Sequence, residues 1–153
     1  MEKSDLVTIR RARADEVVDL RHRVLRGGLA RETAVFPGDD DPAARHFVAE
    51  REGRVVGTLT LHLNQWNGQP AWQLRGMAVD PTKQGTGVGA QLLLASEQSL
   101  LDDSALTQLW CNARVPAVAF YEKHGWTAVS DVFEVPTAGP HVKMIKRLSR
   151  SVR

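Results

Sequence analysis

The sequence predicts a mixed α/β fold, a sheet flanked by helices, and three observations predict it. Apolar patterning along the chain runs strand, helix, several strands, helix, strand, helix and two strands. The length, 153 residues, is that of one ordinary domain, and no repeat, low-complexity tract or linker divides it, so a single domain over 1–153 is expected. A glycine-rich run, Gln84-Gly85-Thr86-Gly87-Val88-Gly89, follows an apolar strand and opens a leucine-rich helix.

The elements follow in order. Val7–Arg11 reads as a first strand. Ala14–Leu25 reads as a helix: Val17, Leu20, Val24 and Leu25 recur at helical spacing, and Asp15 and Glu16 suit the first turn. Gly27-Gly28 stops it. Residues 29–44 are irregular, with Pro37, Gly38, three aspartates and Pro42; the length of this loop suits a substrate-facing segment as well as a surface connection. Phe47–Ala49 and Val55–Leu63 read as paired strands joined at Glu52-Gly53, and Asn67-Gly68 turns the chain into a strand over Ala71–Val79. Gly76 inside that strand marks a bulge or a close backbone approach, and Asp80-Pro81 ends it. A helix over about Gly87–Leu101 follows the glycine run, with Asp102-Asp103-Ser104 ending it. Then come a strand over Thr107–Cys111, a helix over Val115–His124 closed by Gly125, and strands over about Thr127–Val135 and His141–Leu148.

Composition bounds the function. Apolar residues at 42% and charged residues at 25% fit a globular chain rather than a disordered one. The net charge of +2 comes from 20 basic and 18 acidic residues, a near-balance that argues for neither a nucleic-acid nor a membrane partner. Arg10, Arg11 and Arg13 read as a solvated edge. No apolar run is long enough to span a bilayer and no signal-peptide pattern opens the chain. The lone Cys111 leaves no intrachain disulfide and no multi-cysteine metal site, so a cytoplasmic protein without a metal is expected.

The glycine run carries the chemistry. Glycines at alternate positions let a bulky group approach the backbone, and the first turn of a helix offers unpaired N–H groups at the positive end of its dipole. Strand, glycine loop and helix together make a phosphate cradle. A P-loop needs Lys-Ser or Lys-Thr after its last glycine, but Ala90-Gln91 stand there. A dinucleotide fingerprint is spaced GxGxxG, whereas here the spacing is GxGxG.

A second block joins it: Asn112, Ala117, then Phe120-Tyr121 and Gly125-Trp126. With Gln84, Gly87 and Gly89, this order and separation resembles the GCN5-related N-acetyltransferase (GNAT) family, and the resemblance covers roughly Val7 to Leu148. Phe133, Gly139-Pro140-His141 and Met144 are similar to the branch that includes the bacterial ElaA and YjcF-type proteins. The resemblance implies an acyl-CoA N-acyltransferase fold: a central, mostly antiparallel sheet splayed between its fourth and fifth strands. It also implies acetyl-CoA as acyl donor. The backbone of Gln84, Gly85, Thr86, Gly87, Val88, Gly89 and Ala90 then holds the pyrophosphate, while Met77, Ala78, Val79, Asn112, Phe120 and Tyr121 line the pantetheine arm and thioester. Asn112 has an alternative role as N-cap of the helix that follows.

The implied reaction is direct attack of an amine on the thioester. Tyr121, the only tyrosine, stands at the family's general-acid position; its other reading is a core residue beside Phe120. At the base the chain departs from the family: where many relatives carry a glutamate two residues before Met77, this chain has Arg75, which is no base. Arg75 either binds an acidic group on the acceptor or pairs with an acid on the 29–44 loop. His62, His141 and His46 are the remaining bases, His141 beside a turn expected near the acceptor. Arg26, His62, Arg75 and His141 are the expected acceptor contacts. Cys111, in an apolar strand, reads as packing rather than as a nucleophile. The function expected is therefore transfer of an acetyl group from acetyl-CoA to the amine of a small molecule or polypeptide. The alternatives are a CoA-binding sensor that transfers nothing, and an enzyme using another acyl-CoA. A homodimer through the final strands is compatible with the sequence, which does not require it.

Overall fold

The computed structural model describes residues 6–149; the outer residues of the expected 1–153 domain lie outside that range. The elements are β1 (Thr8–Ala12), α1 (Ala14–Leu25), β2 (Arg45–Arg51), β3 (Arg54–Trp66), β4 (Gln69–Val79), α2 (Val88–Asp103), β5 (Gln108–Arg114), α3 (Val118–Lys123), β6 (Thr127–Ala128), β7 (Phe133–Val135) and β8 (Gly139–Arg147). The fold is the expected mixed α/β sheet with flanking helices. Its contacts group into two compact units: residues up to His62 with Leu74–Ser99, and Leu63–Gln73 with residues from Leu100 on.

In the first unit, β1 pairs antiparallel with β2 and β2 with β3, and the strand order is β1-β2-β3-β4. Glu52 (φ 53°) and Gly53 (φ 76°) form a two-residue turn of left-handed residues between β2 and β3, whose twist matches the strands it joins. Helix α1 buries Val17, Val18 and Leu20. Leu92 and Leu93 of α2 and Leu59 and Leu61 of β3 are fully buried. Gly57 of β3 allows α2 to approach closely: a Cβ there would lie 2.8 Å from both Val88 Cγ1 and Leu92 Cδ1.

In the second unit, the order is β3-β4-β5-β8-β6, with β7 also on β8. Asn67 (φ 51°) and Gly68 (φ 78°) close the β3–β4 hairpin as expected. Strands β4 and β5 run parallel and pair only as Trp72↔Leu109 and Gln73↔Trp110. No β4–β5 pairing is seen past Gln73 among the described residues, on the strand pair where a splay was expected. Helix α3 ends in a Schellman arrangement around Gly125 (φ 91°): Trp126 N–H bonds the Tyr121 carbonyl at 3.1 Å and Gly125 N–H bonds that of Glu122 at 3.1 Å.

Beyond small shifts at the ends of the other elements, four stretches differ from expectation. The strand expected over Thr107–Cys111 runs to Arg114, so Asn112 is a strand residue paired with Lys143 and caps no helix. The helix expected over Val115–His124 opens as a 3₁₀ turn, Val115–Ala117, with Pro116 in that first turn, and only Val118–Lys123 is α-helical. The strand expected over Thr127–Val135 is two short ones, parted where the Ser130 hydroxyl accepts the Lys143 N–H that a ladder partner would have taken. Within the expected irregular stretch 29–44, Arg31–Ala34 forms a 3₁₀ turn, and Ala34, Phe36 and Asp39 are buried.

Candidate functional site

In the first unit, the end of β4 feeds the glycine loop through a braced turn. The Asp80 carboxylate accepts from Thr82 N–H at 2.9 Å, from the Thr82 hydroxyl at 2.8 Å and from Arg23 at 3.1 Å. These bonds, the Thr82 N–H foremost, bring its pKa down to about 2. Gln84 Nε2 donates to the Val79 carbonyl at 3.1 Å, and Thr86 Oγ1 bonds the Lys83 carbonyl. Gly85 (φ +81°) and Gly87 (φ +89°) are both left-handed, and a Cβ on either would meet nothing within 4 Å. The backbone thus curls around open space at the start of α2. There Val88, Gly89 and Ala90 N–H groups have no intrahelical acceptor, and no acidic residue stands in the first turn. That is the donor set and the clearance a pyrophosphate needs. Ala78 is buried, and Met77 and Val79 half-buried, in the strand leading into it.

The same unit gathers three of the four expected acceptor contacts. Arg21, which sequence reasoning passed over, is fully buried and forks onto Asp39: Nη1 to Oδ2 at 2.6 Å and Nη2 to Oδ1 at 3.1 Å. It also donates to the Ala34 carbonyl at 2.9 Å and to Thr60 Oγ1 at 2.8 Å. Asp39 further accepts from His62 Nε2 at 2.9 Å and Phe36 N–H at 2.8 Å. His46 is tied at both nitrogens, to Thr60 Oγ1 and to the Asp39 carbonyl, each at 2.8 Å. With no lone pair to spare it is no base, and burial lowers its pKa. Arg21, Arg75 and Arg26 surround the Phe36 ring, their guanidinium carbons 4.0, 4.4 and 5.4 Å from its centroid. The alternative in which Arg75 pairs with an acid of the 29–44 loop is not what the structure holds: among the described residues its side chain makes no hydrogen bond or ion pair. Gly76 (φ +67°) is the expected close approach, for a Cβ there would lie 2.6 Å from Arg21 Nε. The signal for Arg21 was present: it follows Val17 by four residues, on the face of α1 that is buried.

In the second unit, Tyr121 is 5% exposed, its ring 5.3 Å from those of Phe120 and Trp126. Burial, and secondarily the Cys111 sulfur, push its phenol well above the usual range. Cys111 is buried and its thiol is pushed up to about 12 by that burial, which suits packing and not nucleophilic attack. Asn112 is exposed, and its Oδ1 accepts from Lys143 Nζ at 3.0 Å. Lys143 also lies 5.1 Å from the rings of Trp110 and Phe133. His141 is buried, with Nδ1 2.8 Å from the Gly139 carbonyl. A carbonyl only accepts, so Nδ1 carries the proton and Nε2 of the neutral ring keeps its lone pair. No group of His, Cys, Asp or Glu among the described residues could hold a metal ion, and no helix among them is long and apolar enough to cross a membrane.

Comparison with known proteins matches residues 14–126 to the model of the acetyltransferase (GNAT) family. The chain is 26% identical over 152 residues to the uncharacterized N-acetyltransferase YitI of Bacillus subtilis, covering 95% of this chain and 99% of that protein. It is 32% identical over 90 residues to the aminoalkylphosphonate N-acetyltransferase of Salmonella typhimurium, covering 56% of this chain and 58% of that one. Among solved structures, Escherichia coli ElaA matches with a TM-score of 0.77 at 15% identity, over 93% of this chain and 100% of that one. An aminoglycoside 6'-N-acetyltransferase complexed with coenzyme A matches at 0.74 and 15% identity, over 95% and 99%. At these identities the structural likenesses speak for the fold.

Proposed function

The chain belongs to the acetyltransferase (GNAT) family, and from that premise we propose that it is an N-acetyltransferase moving an acetyl group from acetyl-CoA to an amine of a small molecule or peptide. The observation that carries this reading is the glycine loop, with two left-handed glycines opening onto empty space at the start of α2. Residues 1–153 are read as one acetyltransferase domain, and the family match, which takes in residues of both units, supports that. A cytoplasmic working place accompanies the reading, supported by a single cysteine that is buried and unpaired.

Backbone N–H groups of Gly85 and of Gly87 to Ala90 hold the pyrophosphate, the Thr86 N–H being turned to the Lys83 carbonyl, with Gln84 bracing the loop entrance. Met77, Ala78, Val79, Phe120 and Asn112 hold the pantetheine arm, Asn112 through its amide N–H, since its oxygen is taken by Lys143. When bound, acetyl-CoA supplies an acyl carbon activated as a thioester. His141 takes the proton of the attacking amine on the Nε2 lone pair as the C–N bond forms, and releases it to solvent afterwards. Tyr121 gives its phenolic proton to the sulfur as the C–S bond breaks, and recovers it from solvent. Burial raises the Tyr121 pKa, which favours the protonated, donor form of the phenol. His62, whose Nε2 is committed to Asp39, orients that carboxylate rather than moving protons.

The test is thiol release from acetyl-CoA against amino acids, polyamines, aminoglycosides and peptides. Turnover with at least one amine, absent without it, is the expected result. Tight acetyl-CoA binding with no thiol release from any amine would instead favour a CoA-binding sensor, and release only with longer acyl-CoA donors would change the donor.

A further inference from the structure

Among the described residues, Arg75 is a half-buried cation without a counter-ion. Asp39 is the one anion among them acting on it, against two cations, Arg21 and Arg26. An ionised carboxylate has about four lone-pair sites, and those of Asp39 are taken. Oδ1 accepts from Arg21 Nη2 and His62 Nε2, and Oδ2 from Arg21 Nη1 and Phe36 N–H. No acceptor capacity remains for a second guanidinium. Arg75 instead stacks on Phe36, which holds the planar fork in place and leaves its edge N–H donors unspent. Burial pulls its pKa below the ordinary value, and the Arg21 charge adds to that, so a bound anion would relieve the site.

We propose that Arg75, beside Arg26 and the Phe36 ring, is a subsite for an oxyanion, and that the acetyl acceptor is therefore an amine that also carries a carboxylate or a phosphonate. A guanidinium fork matches both groups bidentately, so the shared chemistry is a planar or tetrahedral oxyanion a few bonds from the amine. Arg21, whose two Nη groups are taken by Asp39, Ala34 and Thr60, serves to fix Phe36 and the loop rather than to bind. This inference rests on the acetyl-transfer reading for the word acceptor, but the anion subsite stands or falls separately.

Two measurements test it. The first is thiol release with matched acceptors of equal length: an amino acid, an aminoalkylphosphonate, and the corresponding amino alcohol and amino amide. The anionic amines are expected to exceed the neutral ones at least tenfold in kcat/KM, and whichever of the two anions leads identifies the natural group. Arg75→Leu is expected to raise KM for the anionic amine about 10- to 100-fold, the loss of a charge-assisted hydrogen-bonded pair. It should leave KM for acetyl-CoA within about twofold, and Arg75→Lys should recover part of the loss. The second is titration of acetate and of methylphosphonate into the wild-type protein and Arg75→Leu, followed by nuclear magnetic resonance. Chemical-shift changes at Arg75 and Phe36 that Arg75→Leu abolishes, with no thiol release from any amine, would uphold the subsite and refute acetyl transfer. Equal turnover of anionic and neutral amines, or a KM change confined to acetyl-CoA, would overturn the subsite and leave transfer intact. Should Arg75→Leu fail to fold, the wild-type preference and the Arg75→Lys comparison decide alone.

Discussion

Tyr121 and His46 show how far burial sets the chemistry of single residues. The Tyr121 ring is packed against Phe120 and Trp126, and its phenol titrates well above the usual range. Tyr121→Phe keeps that packing and removes only the proton, so kcat is expected to fall tenfold or more with KM for acetyl-CoA little changed. The same steady-state measurements should show no loss of rate up to about pH 10 traceable to Tyr121 in the wild type; unchanged turnover in the variant would take the phenol out of the mechanism. Around Asp39 the signs run differently. Burial alone would raise its carboxyl, but the hydrogen bonds from His62, Arg21 and Phe36 N–H outweigh it and hold it well below the ordinary range. Folding therefore favours its charged form, a contribution complete above about pH 4 and lost as the pH falls through the folded value. Burial lowers the His46 pKa, so below about pH 6.5 the unfolded state takes up a proton more readily than the folded state, and stability falls. The urea midpoint should hold steady above pH 7, decline below about 6.5 and fall more steeply below about 4. His46→Gln should remove the first decline; a midpoint equal at pH 7 and pH 5 in the wild type would contradict the assignment. Of this network only the burial of Arg21 had a sequence signal, its place on the Val17 face of α1; the pairings had none. His46, Thr60, Arg21 and Asp39 come from three elements and a loop, and no local pattern announces which buried polar groups will satisfy one another.

At the scale of elements, local chemistry was legible wherever a backbone constraint is strict. Glu52-Gly53 and Asn67-Gly68 require positive φ at both turn residues and have it; Gly125 closes α3 for the same reason. Legibility failed where a neighbour decides. Asn112 looks like a helix cap by its residue type, but its pairing with Lys143 carries β5 past it. The glycines divide similarly into two kinds. Gly57 is small because α2 lies against it, and the neighbouring Val88 and Leu92 are buried with little room to move. Gly57→Ala should overpack that contact and cost about 1–3 kcal/mol in urea unfolding. Gly87 faces empty space, so Gly87→Ala carries only the left-handed backbone penalty, about 1–2 kcal/mol. Its methyl group would stand where the pyrophosphate is proposed to lie, and acetyl-CoA affinity measured by calorimetry should fall at least tenfold. If Gly87→Ala binds acetyl-CoA as the wild type does, the loop is a turn and not a cradle.

For the whole molecule, family and fold were readable because they rest on two blocks of sequence with fixed order and spacing, Gln84–Gly89 and Asn112–Trp126. The cluster proposed for the acceptor was only partly readable: Arg26 and Arg75 stood out in the sequence, but Arg21, Phe36 and Asp39, which pack around them, are linked to them by no spacing rule. The donor half of the proposal can be tested without knowing the acceptor. A ligand that binds the folded chain alone stabilises it by mass action, about 2.7 kcal/mol at a concentration of 100 Kd. In a domain of this size, 1 kcal/mol moves Tm by about 2–4 °C, so saturating acetyl-CoA should raise Tm by about 5–10 °C. ADP offers the loop a pyrophosphate but has no pantetheine for Met77–Val79 and Asn112 to hold. It should therefore shift Tm less at equal concentration. Equal shifts would mean that only the glycine loop engages the ligand, and no shift at millimolar acetyl-CoA would remove the donor assignment. The Gly87→Ala variant should show both shifts reduced, a tenfold loss of affinity cutting that of acetyl-CoA to about half, whereas Tyr121→Phe should keep them, which separates holding the donor from reacting with it.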